Sequence, residues 1–446
     1  MGHSNLQDGK GFGEVFDLDD AVLRAQGHVA ELERSFSWVG AIGLAYSIIN
    51  SWLAYAACFG MALGYGGGQA AVFGLMIALA VQWIVLLGLA ELCSALPSSG
   101  VDHFTYIDAP QFAKNFAAYT VGIFSVYPEF AGTQWQVYLF YVLVVIVTLI
   151  PIFTVSQKHI DQLTRTVMYL SAVGLLLVII PCLSMDRDHY RPTNIVEYHG
   201  SSGGYCFAAT SACTHIAGEM PSPGRRLPQV INMTMVIGAL AAVPWIVVMA
   251  TVITDLEAVQ KAFLPRMEIF YQATGNKVAA TVLQAYLTLL YYACVPSQWI
   301  ACSRIAWAFS RDNLPFSSYW SHIDPVRQIP IRTTLLAAGF CLIYGLLYIA
   351  STAAFNSIIN TAILMLNITY TVPQGILATC GRNRLPRQHF DLGLVIGYAA
   401  LGSMNYNVVV ITGLFVLVLV LWIERRHKFK GPEIDWDALN ASNALQ

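Results

Sequence analysis

The sequence predicts an all-α integral membrane protein, and three observations lead to that prediction. Of the 446 residues, 56% are hydrophobic and only 11% are charged, whereas soluble domains carry roughly 25% charged residues. Long uncharged runs, such as residues 137–150 and 408–422, cannot all be buried in one water-soluble core, so a bilayer is the solvent that fits them. The last run is followed by a basic cluster within residues 424–430, which is typical of a final span that ends at the cytoplasmic face.

The apolar runs divide into long and short candidate spans. The long ones are 38–63, 70–93, 135–155, 167–183, 230–254, 278–301, 333–350, 358–379 and 408–422. The short ones are 116–127, 203–217 and 392–404. A helix rises 1.5 Å per residue, so a twelve-residue run covers about 18 Å of a hydrocarbon core roughly 30 Å thick. The sequence therefore predicts about 12 transmembrane helices, three of them abbreviated.

The distribution of basic residues leaves two alternatives, that all twelve runs cross or that short runs fail to cross in pairs. If every run crosses and the N-terminus is cytoplasmic, most of the 24 Lys and Arg residues lie on the inner side. The exceptions on the outer side are Arg187, Arg191, Lys261, Arg266 and Lys277. This is a strong positive-inside bias. It predicts a cytoplasmic tail at 1–35, a transmembrane domain at 36–423 and a second cytoplasmic tail at 424–446.

The N-terminal tail contains one candidate helix. Residues 15–34 have the pattern of an amphipathic surface helix, with Asp17 or Asp19 as its cap. Two interpretations stay open, a latch on the cytoplasmic side of a gate and a plain solvated tail.

Cysteine usage and net charge exclude several other classes of protein. The nine cysteines are scattered without a CxxC pair, so they are expected to be small buried hydrophobes rather than disulfides or zinc ligands. No metal or cofactor is expected. The net charge of −2 argues against nucleic acid as a partner.

Two spans carry signals of interruption. The first, 38–63, contains Gly40 and Gly43 and then a polar cluster at 47–51. The second lies in CFAATSACTHIAGEMPSPGRRLP at 206–228, where a Gly-Glu pair and three prolines break a straight helix. A helix that ends at membrane depth leaves backbone groups unpaired, and these are tolerated only against protein or a cavity. Broken helices of this kind form the substrate sites of many secondary transporters; the alternative for 206–228 is a short span followed by an ordinary cytoplasmic loop.

Passages spread over residues 26–433 carry a family resemblance. They are QGH…ELERSFS at 26–37, THIA…EMPSP at 214–223, SRIAWAFSRD at 303–312 with LPF at 314–316, STAAFNS at 351–357, MNYN at 404–407 and KGPE at 430–433. Together they resemble the fungal branch of the amino acid-polyamine-organocation (APC) permeases, which includes amino-acid, GABA and choline permeases. The most specific passage is the one at 303–312.

The resemblance implies a fold and an activity. It implies an APC/LeuT-like five-plus-five inverted repeat in which substrate binds where helices one and six unwind, and the two interrupted spans occupy those places. It also implies a secondary active transporter that moves an amino acid or related amine by alternating access. The chain departs from the family pattern at Gly100-Val101, at Ala209-Thr210-Ser211 and at Gly218-Glu219, and three spans look abbreviated.

Candidate substrate ligands follow from the two interruptions. An unwound helix presents N–H groups at one broken end and carbonyls at the other, which suit a carboxylate and an ammonium respectively. The predicted substrate-binding residues are Tyr46, Ser47, Ile48, Asn50, Ser51, Thr210, Ser211 and Thr214. The alternative for each hydroxyl is a hydrogen bond to its own helix four residues back.

Charge and aromatic content indicate the kind of substrate. No charged residue lies in the middle of a long span, so no buried cation is expected to neutralise an anionic solute, which favours a zwitterionic or cationic amine. Tyr46, Trp52, Tyr291 and Trp299 are candidates for cation–π contact, with plain packing as the alternative. The candidates for proton coupling are Glu219, Glu91 and His215; Glu219 has the alternative of pairing with Arg225 or Arg226.

Several functional alternatives stay open. The chain could be a transport-deficient relative, acting as a sensor or arising as a truncated gene product, or a permease selective for choline or polyamine. A membrane enzyme has least support, because the histidines are dispersed and no nucleophile elbow is present. The expected partners are an amine or amino-acid substrate, protons as a candidate coupling ion, and lipid. A multi-pass protein of the plasma membrane is favoured over one of an internal membrane.

Overall fold

The computed structural model describes residues 19–25, 36–64, 66–95, 133–155, 157–185, 190–197, 220–262, 264–311, 317–325, 327–351, 373–374 and 389–390. Every regular element within these ranges is helical. The helices are α1 Trp38–Ile49, α2 Ser51–Gly64, α3 Gly67–Ala95, α4 Gln134–Thr154, α5 Gln157–Ser184, α6 Pro223–Thr251, α7 Leu256–Lys261, α8 Pro265–Thr274, α9 Lys277–Arg311, α10 Ser317–Trp320 and α11 Ile331–Ala350. A 3₁₀ helix spans Pro192–Ile195, and residues 19–25 form a further short helix.

The described residues contain seven helices long and apolar enough to cross a membrane, with α1 and α2 together counted as one. They coincide with seven of the nine long spans that the sequence predicts. Of the remaining long spans, 408–422 lies outside the described residues, and only residues 373–374 of 358–379 are described. The short runs 116–127, 203–217 and 392–404 also lie outside. The prediction of an all-α integral membrane protein is confirmed. The five-plus-five inverted repeat is implied by the family resemblance.

The outer helices expose apolar stripes to the bilayer. On α4, Leu139, Leu143, Ile146 and Ile150 recur at helical spacing and are all more than half exposed. The opposite face of α4, which includes Val137, Tyr141 and Val144, is buried. Because lipid tails are as apolar as these side chains, the exposed stripe needs no protein partner.

Among the seven described spans, the first transmembrane segment, α1 with α2, is the most enclosed. In its most apolar window 72% of residues are buried, against 28% for α5. It packs against α5, α6 and α9. Glycine permits the closest of these approaches: a Cβ at Gly43 would lie 3.0 Å from the backbone of Thr164 and Arg165, and a Cβ at Gly40 would overlap the Asp161 carboxylate.

The start of α1 is fixed to α5 by Asp161. Ser37 caps α1, since its hydroxyl accepts a hydrogen bond from the Gly40 N–H at 3.0 Å. Both the N–H and the hydroxyl of Ser37 donate to Asp161 Oδ1, each at 3.0 Å, and Arg165 pairs with the other carboxylate oxygen. A carboxylate at this position also complements the positive end of the helix dipole.

The tail helix at 19–25 is packed rather than solvated. Asp19, Val22 and Ala25, three residues apart, are at most 4% exposed. The N–H of Ser222, the residue before α6, donates to Asp19 Oδ2 at 2.7 Å. The described part of the tail therefore lies against the start of α6, whereas the other predicted cap, Asp17, lies outside the described residues.

The proline-rich segment is more helical than the sequence suggests. Pro223 occupies the first turn of α6, where a missing N–H costs nothing, and Pro228 lies inside the helix rather than ending it. The helix therefore begins seven residues before the predicted span. Residues 198–219, which include the expected break, lie outside the described part.

Candidate functional site: a broken helix in the buried core

The first transmembrane segment breaks at Asn50. Asn50 has φ 30° and ψ 65°, in the left-handed region, and separates α1 from α2. Its N–H donates to the Tyr46 carbonyl at 2.6 Å, and its own carbonyl accepts from the Ala54 N–H at 2.9 Å. Asparagine is one of the few non-glycine residues that adopt this conformation readily. The break is thus one residue long, and Asn50 is fully buried.

One face of α9 forms hydrogen bonds with residues on both sides of this break. Tyr291, Cys294 and Gln298 lie on that face at positions i, i+3 and i+7. The Tyr291 hydroxyl donates to the Leu53 carbonyl. Asn50 Nδ2 donates to Cys294 Sγ at 3.3 Å, and Gln298 Nε2 donates to the Ile48 carbonyl at 2.8 Å. The contacts run in opposite order along the two elements, so α9 lies antiparallel to the broken helix.

Two further helices enclose the break. On α5, the Ser171 hydroxyl donates to Asn50 Oδ1 at 2.9 Å and accepts from Trp52 Nε1 at 2.9 Å. On α6, a Cβ at Gly238 would lie 2.5 Å from Ser51 Oγ, so glycine leaves the space that Ser51 fills. Side chains from α5 and α9 therefore satisfy both polar ends of the Asn50 amide.

The structure brings the predicted ligands of the first segment together. Tyr46, Ser47, Ile48, Asn50 and Ser51 all lie at the break or within the turn before it. The Ser47 hydroxyl donates to the Gly43 carbonyl at 2.6 Å and to the Thr164 carbonyl at 3.3 Å, which confirms the alternative of a bond to its own helix.

The other predicted ligands and coupling residues are placed differently. Thr210, Ser211, Thr214, His215 and Glu219 lie outside the described residues. Glu91 is buried near the end of α3 and is engaged with other groups of the protein. A role for any of them stays a prediction.

Aromatic residues around the break are packed and hydrogen-bonded. Trp52 and Trp299 are both fully buried. The indole N–H of Trp52 reaches Ser171, and that of Trp299 donates to Thr148 Oγ1 at 3.0 Å. Their contacts in this structure are those of packing residues.

One buried cation lies closer to the break than the sequence suggests. Arg266, placed by the sequence in an outer loop, is only 4% exposed. Its Nε donates to Gln284 Oε1 at 3.2 Å and its Nη1 to the Tyr291 hydroxyl at 3.3 Å, with the guanidinium 5.6 Å from the centre of the Tyr291 ring. Through Tyr291 this charge is linked to Leu53, three residues beyond the break.

The fold explains how the sequence misses Arg266. Two short helices, α7 and α8, fold back over the end of α2: Gln260 Nε2 donates to the Leu63 carbonyl at 3.4 Å, and Pro265 lies 2.7 Å from where a Cβ on Gly60 would be. Arg266 is therefore on the buried face of α8 with Met267, Ile269 and Phe270. The apolar residues of that short helix are the one signal that could have indicated burial.

Sequence reasoning also misses Cys294 and Gln298. Both lie in the run YYACVPSQWI at 291–300, in which polar groups recur on one helical face. That periodicity could have identified them as residues facing another element. It could not have shown which element they face.

A multi-pass helical membrane protein with a buried, interrupted first span has the architecture of a secondary transporter. The model of the amino acid permease family matches residues 104–433. The chain belongs to the amino acid permease family.

Similar proteins cover most of the chain. A choline transporter of Saccharomyces cerevisiae is 26% identical, covering 97% of this chain and 88% of its own. An uncharacterized amino-acid permease of Schizosaccharomyces pombe is 26% identical, covering 95% of this chain and 91% of its own. The amino-acid permease BAT1 of Arabidopsis thaliana is 24% identical, covering 94% and 97%. Each of these alignments is longer than the 446 residues of the chain, at 510, 497 and 504 residues, so the relatives have residues that this chain lacks within the aligned region.

Solved structures with some likeness are also transporters. A manganese transporter of Eremococcus coleocola is 14% identical, with a TM-score of 0.40, and covers 100% of this chain and 92% of its own. A nucleobase-cation-symport-1 family transporter is 11% identical, with a TM-score of 0.41, and covers 93% of each chain.

Proposed function

We propose that this protein is a secondary active transporter that moves an amino acid or related amine across a membrane by alternating access, with the substrate bound at the α1–α2 break. The observation that carries the proposal is the break at Asn50, which lies fully buried between α5, α6 and α9. A structural span has no need of such an interruption. A left-handed residue in the middle of a helix costs of order 1–2 kcal/mol, and strain of this kind is typical of functional sites.

The polarity of the break supports a substrate with an ammonium group. The last turn of α1 carries the partial negative charge of its carbonyls, which suits an ammonium, and the first turn of α2 carries partial positive charge, which suits a carboxylate. A zwitterionic amino acid matches both ends. Because Arg266 is buried nearby, the preference for a zwitterion or cation rests on these helix ends and on the family, and no longer on the absence of buried cations.

Coupling and location extend the proposal. Protons are the proposed coupling ion, with Glu219, Glu91 and His215 as the groups that would carry them. The proposed substrate partners are Tyr46, Ser47, Ile48, Asn50 and Ser51, facing Thr210, Ser211 and Thr214. The plasma membrane is the proposed location, and no enzymatic reaction is proposed.

A second candidate function is a transport-deficient relative. The alignments favour it, because the relatives contain residues that this chain lacks and three of its predicted spans are short. Loss of part of a span would leave the first segment packed as described while removing one side of the transport path.

One experiment separates the two candidates. Uptake of a radiolabelled panel of amino acids, GABA, choline and polyamines is measured in cells that lack their own permeases, alongside empty cells and with the amount of protein at the surface quantified. Uptake of at least one amine above the empty cells is expected. Protein present at the membrane without uptake of any member of the panel would favour the transport-deficient relative.

A further inference from the structure

Gln298 presents a buried amide oxygen at the break. Gln298 is fully buried on the face of α9 that contacts the broken helix. Its Nε2 donates to the Ile48 carbonyl, whereas its Oε1 has no hydrogen-bond partner in the part of the chain that the structure describes. Buried polar atoms in proteins nearly always have partners, so each exception calls for an explanation.

The hydrogen bond to Ile48 fixes which way the amide points. Rotating the amide by half a turn would place Oε1 against the Ile48 carbonyl oxygen, two acceptors facing each other. Nε2 therefore faces Ile48, and Oε1 is held beside the carbonyl end of α1. One helical turn earlier, Cys294 contacts Asn50, so this face of α9 borders the break on both sides.

We propose that Gln298 Oε1 accepts a hydrogen bond from the ammonium group of the substrate, and that Gln298 thereby selects amines with at least one N–H over quaternary ammonium compounds. This rests on the proposed function, because it assumes that the substrate binds at the break. A primary, secondary or tertiary ammonium can donate to Oε1 while it lies at the negative end of α1. A quaternary ammonium has no N–H and leaves Oε1 without a partner. It also places a methyl group where the other amines have the hydrogen that Oε1 would accept.

Sites built to hydrogen-bond a donor discriminate strongly against analogues that lack it. A single charge-assisted hydrogen bond corresponds to a preference of about tenfold to a hundredfold. The chain is therefore expected to differ in selectivity from its relative named a choline transporter, despite 26% identity over nearly the whole chain.

The test compares compounds that differ only in methylation of nitrogen. Ethanolamine, N,N-dimethylethanolamine and choline form one series, and glycine and glycine betaine form another. Each competes with uptake of the best radiolabelled substrate and is also added to purified protein in a thermal-shift assay. We expect the compounds with an N–H to compete at least about tenfold better than their quaternary counterparts.

Variants then assign the preference to Gln298. Gln298→Met keeps the side-chain length without an acceptor oxygen, so the inhibition constants of the quaternary compounds and of their N–H counterparts are expected to become nearly equal. Gln298→Glu keeps an acceptor and is expected to retain the preference. Gln260→Met is the matched control, because Gln260 contacts Leu63 near the end of α2, far along the helix from the break. The ratio of inhibition constants is the readout, since a general loss of folding changes the amount of active protein and not this ratio.

The outcomes separate the inference from the function on which it rests. If amines are transported but quaternary compounds compete as well as the others in the wild type, or Gln298→Met keeps the wild-type ratio, the role of Gln298 is overturned and the transport function stands. If no amine is taken up and none shifts the unfolding temperature of the purified protein, the proposed function fails and the inference with it.

Discussion

At the scale of single residues, Asn50 combines a backbone role with a side-chain role. Its left-handed conformation separates α1 from α2, and its amide joins α5 to α9 through Ser171 and Cys294. The two roles can be separated by substitution, because glycine adopts the same backbone conformation at no steric cost but has no amide. A β-branched residue is strained in this backbone conformation and also has no amide.

Asn50→Gly and Asn50→Val are expected to destabilise the protein to different extents. Loss of two side-chain hydrogen bonds predicts about 1–2 kcal/mol for Asn50→Gly, in part offset by relief of backbone strain. Asn50→Val adds the strain of a β-branched residue in the left-handed region, for a total of about 3 kcal/mol or more. Thermal unfolding of the purified protein in detergent is expected to give an unfolding temperature that falls from the wild type to Asn50→Gly and again to Asn50→Val. Equal unfolding temperatures for the two variants would contradict a left-handed Asn50.

At the scale of helices, the position of the first segment depends on close packing between α1 and α5. Gly40 and Gly43 lie on the face of α1 that meets Asp161, Thr164 and Arg165. The Thr164 hydroxyl also donates to the Gly40 carbonyl at 3.3 Å. This contact fixes the N-terminal half of the segment, so the position of the break relative to α5 is defined.

Gly43→Ala is expected to loosen this contact. The added methyl would meet backbone atoms at 3.0 Å, which cannot move as a flexible side chain does, so a cost of about 1–3 kcal/mol is expected. Gly339→Ala in α11 is the matched control, because a Cβ there meets nothing within 4 Å. That control should gain up to about 1 kcal/mol from improved helix propensity. Thermal unfolding of both variants is the measurement, and a stabilising effect of Gly43→Ala would refute the close approach.

At the scale of the whole molecule, the predicted orientation places α7 and α8 on the outer side and the loop between α9 and α11 on the cytoplasmic side. The basic residues favour this orientation. The described contacts agree with it, because α9 lies antiparallel to the broken first segment, as the first and eighth of twelve crossing spans do. Surface residues on the two sides make the orientation testable.

Cysteine labelling is expected to distinguish the two sides. Lys261, whose side chain is 75% exposed, lies at the end of α7, and Arg327 is exposed in the segment before α11. In intact cells a membrane-impermeant maleimide should label Lys261→Cys, and it should label Arg327→Cys only after permeabilisation. The parent protein is the blank, because five of the six described cysteines are buried. The reverse pattern would invert the orientation.

The amino-acid sequence was sufficient to predict seven membrane spans, their all-helical class, the family and the interruption near residues 47–51. The spans and the interruption follow from apolar run length, from charge asymmetry and from polar residues inside an apolar segment, and the family follows from the motifs that resemble it. All of these can be read from the chain without knowing which residues meet in the fold. The burial of Arg266 was not predictable in this way, nor was the alignment of Tyr291, Cys294 and Gln298 with Leu53, Asn50 and Ile48. Those contacts join residues more than 200 positions apart, and only the packing of α8 and α9 against the broken helix decides which groups meet there.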